Sequence, residues 1–197
     1  MQQPLPGVEA QNIMASRVRP LPAEIPADAR ESGVLALLFP MQDELYLLLI
    51  KRIEDGKAHG GQISFPGGRR DAADDTLQTT ALRETFEEVG IPSGEIEVLG
   101  QLSPLYIPVS NSNVYPYVGF LPGHPEYSLS VGEVQYVLEV PIRELFNPAI
   151  KSVKSITPSA FPDITIKAPV YEWDKEHIIW GATAMMIAEL EVILSEL

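Results

Sequence analysis

The chain has 197 residues, enough for one well-cored domain. Its formal net charge of −13 excludes nonspecific binding to nucleic acid, which needs a basic surface. Cysteine is absent, which excludes disulfides, a thiolate nucleophile and Cys-ligated zinc, and no apolar run approaches the ~18 residues of a membrane span.

The N-terminus lacks the apolar core of a signal peptide, so the expectation is a cytoplasmic protein. Residues 1–30 hold five of the 18 prolines and predict an extended arm with at most a short helix; residues 31–197 form the domain proper. Val34 to Phe39 predicts a strand ending at Pro40. A turn at Met41–Glu44 leads to a second strand, Leu45 to Lys51. Gln62 to Phe65 predicts a short strand feeding the glycine turn Gly67–Gly68, and a helix follows from about Thr76 to Val89, capped by Gly90. Ile96 to Leu102 and Val114 to Phe120 predict strands flanking a Pro/Ser/Asn-rich loop, Ser103 to Asn113. Glu133 to Val140 predicts a strand and Ile142 to Phe146 a helical turn. Ile164 to Ile166 and Val170 to Trp173 predict a hairpin. The closing stretch, Trp180 to Leu197, predicts a helix too apolar for a single buried stripe. The order implies an α/β domain around a mixed sheet.

The helix after the glycine turn carries the chemistry. At 100° per residue, Leu82, Phe86 and Val89 fall within about 60° and predict the buried stripe. Glu84, Glu87 and Glu88 span about 100° on the other side. Such crowding costs about 0.2–0.5 kcal/mol per like-charged pair, and the helix dipole disfavours acids at this end. A solvated face is the plain alternative, but it usually interleaves lysine, and Arg83 is the only cation between Asp75 and Gly90. A hard divalent cation resolves the conflict, because it takes carboxylate oxygens together with substrate phosphate. The three histidines, His59, His124 and His177, are scattered and do not suggest a His-based metal site.

The run Arg83-Glu84-Thr85-Phe86-Glu87-Glu88-Val89-Gly90-Ile91 resembles the second half of a Nudix box. The first half departs from the general pattern, which places Glu six residues after the glycine; Asp74 stands at that distance here, and the helix register fits Asp75 better. Upstream, Arg52, His59, Gly61 and Phe65-Pro66-Gly67-Gly68 resemble the extended motif of the coenzyme A pyrophosphatase branch. Trp180-Gly181-Ala182-Thr183-Ala184 resembles that branch's last helix start. Three positions depart from it: Ile50 stands for a usual Thr, Lys57 for an Arg, and Ser110-Asn111-Ser112 for a glycine and an aromatic.

The resemblance implies a Nudix-type α/β/α sandwich and hydrolysis of a diphosphate linked to a nucleoside. It implies Mg²⁺ or Mn²⁺ held by Glu84, Glu87, Glu88 and the Gly68 carbonyl, with Glu87 as candidate base and Glu133 as the alternative. Arg83 is expected to order the site by pairing with Asp75 or a helix glutamate. Arg52, Lys57, His59 and Arg69, with Arg70, are the candidates to meet substrate. The leading expectation is CoA or acyl-CoA cut to 3′,5′-ADP and 4′-phosphopantetheine. ADP-ribose or a dinucleoside polyphosphate is the rival substrate, and a non-catalytic nucleotide sensor the rival class. The apolar last helix allows a homodimer; neither nucleic acid nor membrane is expected as a partner.

Overall fold

The computed structural model describes residues 4–17, 25–56, 59–159 and 161–196. Strand β1, Arg30–Met41, is the spine of the molecule. It pairs antiparallel with β2, Glu44–Arg52, across a two-residue turn whose Gln42 and Asp43 have φ of 51° and 62°. Positive φ at both positions is what a primed hairpin turn needs to match strand twist. The expected stop at Pro40 does not occur. Pro40 lies inside β1 but beyond the last residue paired on the far side, so its missing N–H breaks no bond there.

The other strands build outward from this pair. The two-residue β3, Ile63–Ser64, borders β2, and β4, Gly67–Arg69, borders the start of β1. Helix α2, Leu77–Val89, follows. Strand β5, Glu97–Gln101, and the short β6, Leu105–Ile107, pair with β7, Ser112–Phe120. Strand β7 runs parallel to β1, and β8, Val134–Pro141, runs antiparallel along β2. The eight-stranded sheet is therefore mixed, as expected. Strand β6 and the turn at Pro108–Ser110 lie within the stretch predicted as loop.

The remaining chain departs more from expectation. After the short helix α3, Ile142–Leu145, strands β9, Lys151–Ile156, β10, Ile166–Glu172, and β11, Ile178–Trp180, form a second sheet in the order β11-β10-β9. The two runs predicted as a hairpin are parts of the single strand β10 and its approach; the actual partner, β9, is too polar to have declared itself.

Two apolar layers sandwich the main sheet. Leu35, Leu37 and Phe39 of β1 alternate with Ala36 and Leu38. The first set packs with Ala81 and Val89 of α2, the second with Met185, Met186 and Ile187 of α4, Gly181–Ser195. Both faces are covered, so β1 and β2 read as continuous apolar runs. Helix α2 approaches closely because Gly33 has no side chain. A Cβ there would lie 2.3 Å from the Leu77 carbonyl oxygen.

Helix α4 is buried from Thr183 to Leu190, and that stretch includes Glu189 with no exposed surface. Its carboxylate accepts from the Gly7 N–H at 3.2 Å, the Gln11 side-chain amide at 2.8 Å and the Ser103 N–H at 3.1 Å. These bonds clasp helix α1, Gly7–Asn12, onto α4. Ala10 and Met14 of the N-terminal segment are buried beside it.

Candidate active site

The turn between β3 and β4 aims the backbone at α2. The Gly67 N–H donates to Glu88 Oε2 at 2.8 Å. Gly68 lies directly over Glu84, whose carboxyl atoms would be 2.4–2.6 Å from any Cβ at that position. Only glycine lets the carboxylate come under the backbone here.

Helix α2 starts at Thr76, whose Oγ1 accepts from the Thr79 N–H at 3.1 Å. It ends at Gly90, with φ of 82°. The chain after β7 completes that end: the N–H groups of Ser128 and Ser130 donate to the carbonyls of Val89 and Glu88 at 2.9 and 3.0 Å. These carbonyls would otherwise lack partners beside buried acids.

The buried stripe of α2 differs from the predicted one. Phe86 is 54% exposed, whereas Glu88 is 1% exposed and Thr85 is fully buried. The buried positions Ala81, Thr85, Glu88 and Val89 follow helical spacing but are rotated from Leu82 and Phe86. The reason lies in the partners. Thr85 Oγ1 donates to the Ala81 carbonyl at 2.7 Å, and Glu88 is held by the Gly67 N–H and by Arg52 Nη1 at 2.8 Å, so both polar groups are satisfied where they are buried.

Arg83 links the acids. Its guanidinium donates to Asp74 Oδ1 and Oδ2 at 3.0 Å, Glu87 Oε2 at 3.0 Å and the Arg69 carbonyl at 3.0 Å, and it pairs with Glu84 Oε1 at 2.9 Å. Of the expected partners, the helix glutamates are engaged and Asp75 is not; the aspartate that anchors Arg83 is Asp74. Thr80 Oγ1 and the Asp71 N–H also donate to Asp74, both at 2.9 Å. Hydrogen bonds from Arg83, opposed by burial, hold the Asp74 carboxyl well below its ordinary value and raise the Arg83 guanidinium. Asp74 stands six residues after Gly68, but helix register favoured its neighbour, and the path of the loop decides between them.

The electrostatics of the glutamates run the other way. Burial pushes the Glu88 carboxyl up to about 7, against the pull of Arg52 and the Gly67 N–H. Burial also raises Glu84, with Glu87 and Glu133 adding negative charge and Arg83 opposing. Glu133 thus stands within electrostatic reach of Glu84. Its loop is tied to the end of β2 by the Ile53 N–H, which donates to the Glu133 carbonyl at 3.0 Å. Burial, helped by the Arg52 charge and opposed by a Gln62 hydrogen bond, lowers His59. Of the candidates for meeting substrate, Arg52 and His59 therefore lie on the Glu88 side. Arg69 leaves β4 on the face opposite Gly68, because strand side chains alternate. Lys57 lies outside the described residues.

The donor set suits a hard divalent cation: oxygen ligands only, with Glu88 buried and the Glu84 carboxylate seated against the Gly68 backbone. Arg52 and Arg83 hold these oxygens, however, and among the described residues no three acids or histidines converge as a ready metal cage. The chemistry of the set fits a metal, and Arg83 contacts Glu84 through Oε1 and Glu87 through Oε2.

The chain is similar to several known proteins. The NUDIX domain family matches residues 29–161. A Photorhabdus laumondii protein described as "Uncharacterized Nudix hydrolase NudL" is 34% identical over 187 residues, covering 91% of this chain and 92% of that protein. A Yersinia enterocolitica protein of the same description is 34% identical over 173 residues, covering 87% of this chain and 85% of that one. Among solved structures, the Nudix hydrolase RenU of M. smegmatis aligns with a TM-score of 0.59 at 14% identity, over 86% of this chain and 88% of that one. A MutT protein from Methanosarcina mazei aligns at 0.55 and 15% identity, over 85% and 96%. At these identities the two structures speak to the fold, a mixed sheet between helices.

Proposed function

This chain belongs to the NUDIX family, and from that premise we propose that it hydrolyses CoA and acyl-CoA to 3′,5′-ADP and the corresponding 4′-phosphopantetheine. The coarser statement, a Nudix hydrolase acting on a nucleoside-diphosphate-linked small molecule, follows from the family. The observation that carries the finer one is the Arg52–Glu88 contact at 2.8 Å. It joins the upstream segment resembling the CoA motif to the box helix itself, with His59 close enough for the Arg52 charge to act on its ring.

Nudix hydrolases use divalent metal, and here Glu84, Glu87, Glu88 and the Gly68 carbonyl would hold Mg²⁺ or Mn²⁺. When bound, the cation supplies neutralisation of charge on the phosphoryl oxygens. The chain's own residues do the rest. Arg52 and the Gly67 N–H fix the Glu88 carboxylate. Arg83, anchored on Asp74, positions Glu84 and Glu87 rather than touching substrate. Glu87, half-exposed at the end of this network, accepts the proton of attacking water, and Glu133 is the alternative base.

Hydrolysis of a panel with Mg²⁺ and with Mn²⁺ tests this: CoA, acetyl-CoA, oxidised CoA, ADP-ribose, NADH and diadenosine polyphosphates, with products separated by chromatography. Preference for CoA compounds with release of 3′,5′-ADP is expected. Preference for ADP-ribose or a dinucleotide keeps the reaction and discards the substrate. Glu87→Gln should lower turnover by about 10²–10⁴-fold with folding intact. Turnover that survives Glu84→Gln and Glu87→Gln together would sink the metal-site assignment, while a folded wild-type chain inert on every compound would favour the sensor.

A further inference from the structure

We propose that Arg30 and Arg69 form a second anion subsite, which receives a phosphomonoester carried by the substrate away from its scissile diphosphate. A cleft of about 550 Å³ opens where β1 begins, and Arg30, Arg69 and Arg70 line it together with Glu31, Asp71 and Asp74. Two of the acids are paired with other cations, and Asp71 keeps its charge with a backbone N–H on it. Glu31 pairs with Arg70 at 3.0 Å, Asp74 is taken by Arg83, and Asp71 Oδ1 accepts from the Ala73 N–H at 2.9 Å. Among the described residues, no side-chain partner is recorded for either Arg30 or Arg69. In a chain with 27 acids against 14 lysines and arginines, two unpaired guanidinium groups in one cleft suggest selection for an anion rather than for stability.

Register brings the two together. Ser32 of β1 faces Arg69 of β4, so Arg30, two residues along on the same face, is its diagonal neighbour at roughly 7–8 Å. That separation lets two planar guanidinium groups grip one phosphate. Arg30 also pairs with Ser112 and donates its N–H to the Asn111 carbonyl at 2.9 Å. The loop at Ser110–Ser112, singled out by its departure from the CoA motif, therefore adjoins this subsite. Arg69 follows Gly68 directly but points to the other face. A nucleotide with its diphosphate at Gly68 would meet Arg69 and Arg30 with a different anionic group.

The inference rests on the CoA reading for the source of the phosphate, which would be the 3′-phosphate of the nucleoside. Titration calorimetry of the full chain with 3′,5′-ADP and with 5′-AMP tests it without requiring turnover. The wild type should bind 3′,5′-ADP at least about tenfold more tightly. That ratio should fall towards one in the Arg30→Gln, Arg69→Gln double variant, with the charge reversal Arg30→Glu as a second test and circular dichroism as the folding check. Equal affinities in the wild type, no measurable binding of 3′,5′-ADP, or a preference that survives both sets of substitutions overturns the subsite. A chain that prefers 3′,5′-ADP but leaves CoA uncut retains the subsite and loses the proposed substrate. A chain that cuts CoA but binds the two nucleotides equally does the reverse.

Discussion

Arg83 holds Asp74 on one side and Glu84 and Glu87 on the other, so a single guanidinium sets the spacing of the helix acids. Asp74 is 5% exposed and takes four distinct donor groups, from Arg83, Thr80 and Asp71. Asp74→Asn should cost about 1.5–3 kcal/mol, the range for hydrogen bonds to a charged group, as read by urea denaturation. The pH dependence has a definite sign. The folded carboxyl is depressed below its ordinary 3.8, so its contribution is full at neutral pH and is lost as pH falls through the folded value. The stability gap between wild type and variant should therefore close below about pH 3.8. A gap that instead widens in acid would contradict the Arg83–Asp74 pairing. The sequence exposed the acids and the arginine but not their pairing, because Asp74 and Asp75 are adjacent and only the path of the loop distinguishes them.

Element by element, α2 and α4 depart from a simple apolar pattern for the same reason. Each buries a glutamate that the rest of the chain satisfies, Glu88 through Gly67 and Arg52, Glu189 through Gly7, Gln11 and Ser103. Periodicity counts a glutamate as solvent-facing and cannot see donors that arrive from sequence-distant segments. The Glu189 clasp makes a prediction. Glu189→Leu leaves buried donors without an acceptor, at a cost of about 1–3 kcal/mol. Amide exchange of Gly7–Asn12 should rise first, because α1 depends on that contact. Unchanged exchange there would show that apolar contacts of Ala10 and Met14 alone hold the segment.

The whole molecule gathers the buried Glu88, the partly buried Glu84 and the exposed Glu87 on a helix packed against its main sheet, an arrangement that a bound cation would stabilise. Mg²⁺ or Mn²⁺ should therefore raise the melting temperature, with about 2.7 kcal/mol of stabilisation at a hundredfold excess over Kd. Chelation should reverse the rise, and Glu84→Gln with Glu88→Gln should abolish it. A rise that persists in that double variant would locate the metal elsewhere. The second sheet bears on the same region. The Ser159 hydroxyl donates to the Gly60 carbonyl at 3.1 Å, tying the β9–β10 connection to the loop that carries His59. No helix among the described residues is long and apolar enough to cross a membrane.

The sequence by itself determined the family, the mixed sheet, the position of the box helix and the identity of its acids. These depend on local signals: glycines where backbone and carboxylate meet, a threonine cap, runs of β-branched and apolar residues, and acids at helical spacing. Tertiary structure alone decided which face of α2 is buried, which aspartate anchors Arg83, that β9, β10 and β11 form a second sheet, and that Arg30 and Arg69 line one cleft. Each of these rests on partners distant in sequence. A polar side chain carries no mark of burial until the chain brings its donors to it, and two arginines separated by a hairpin and a turn become neighbours only through strand register.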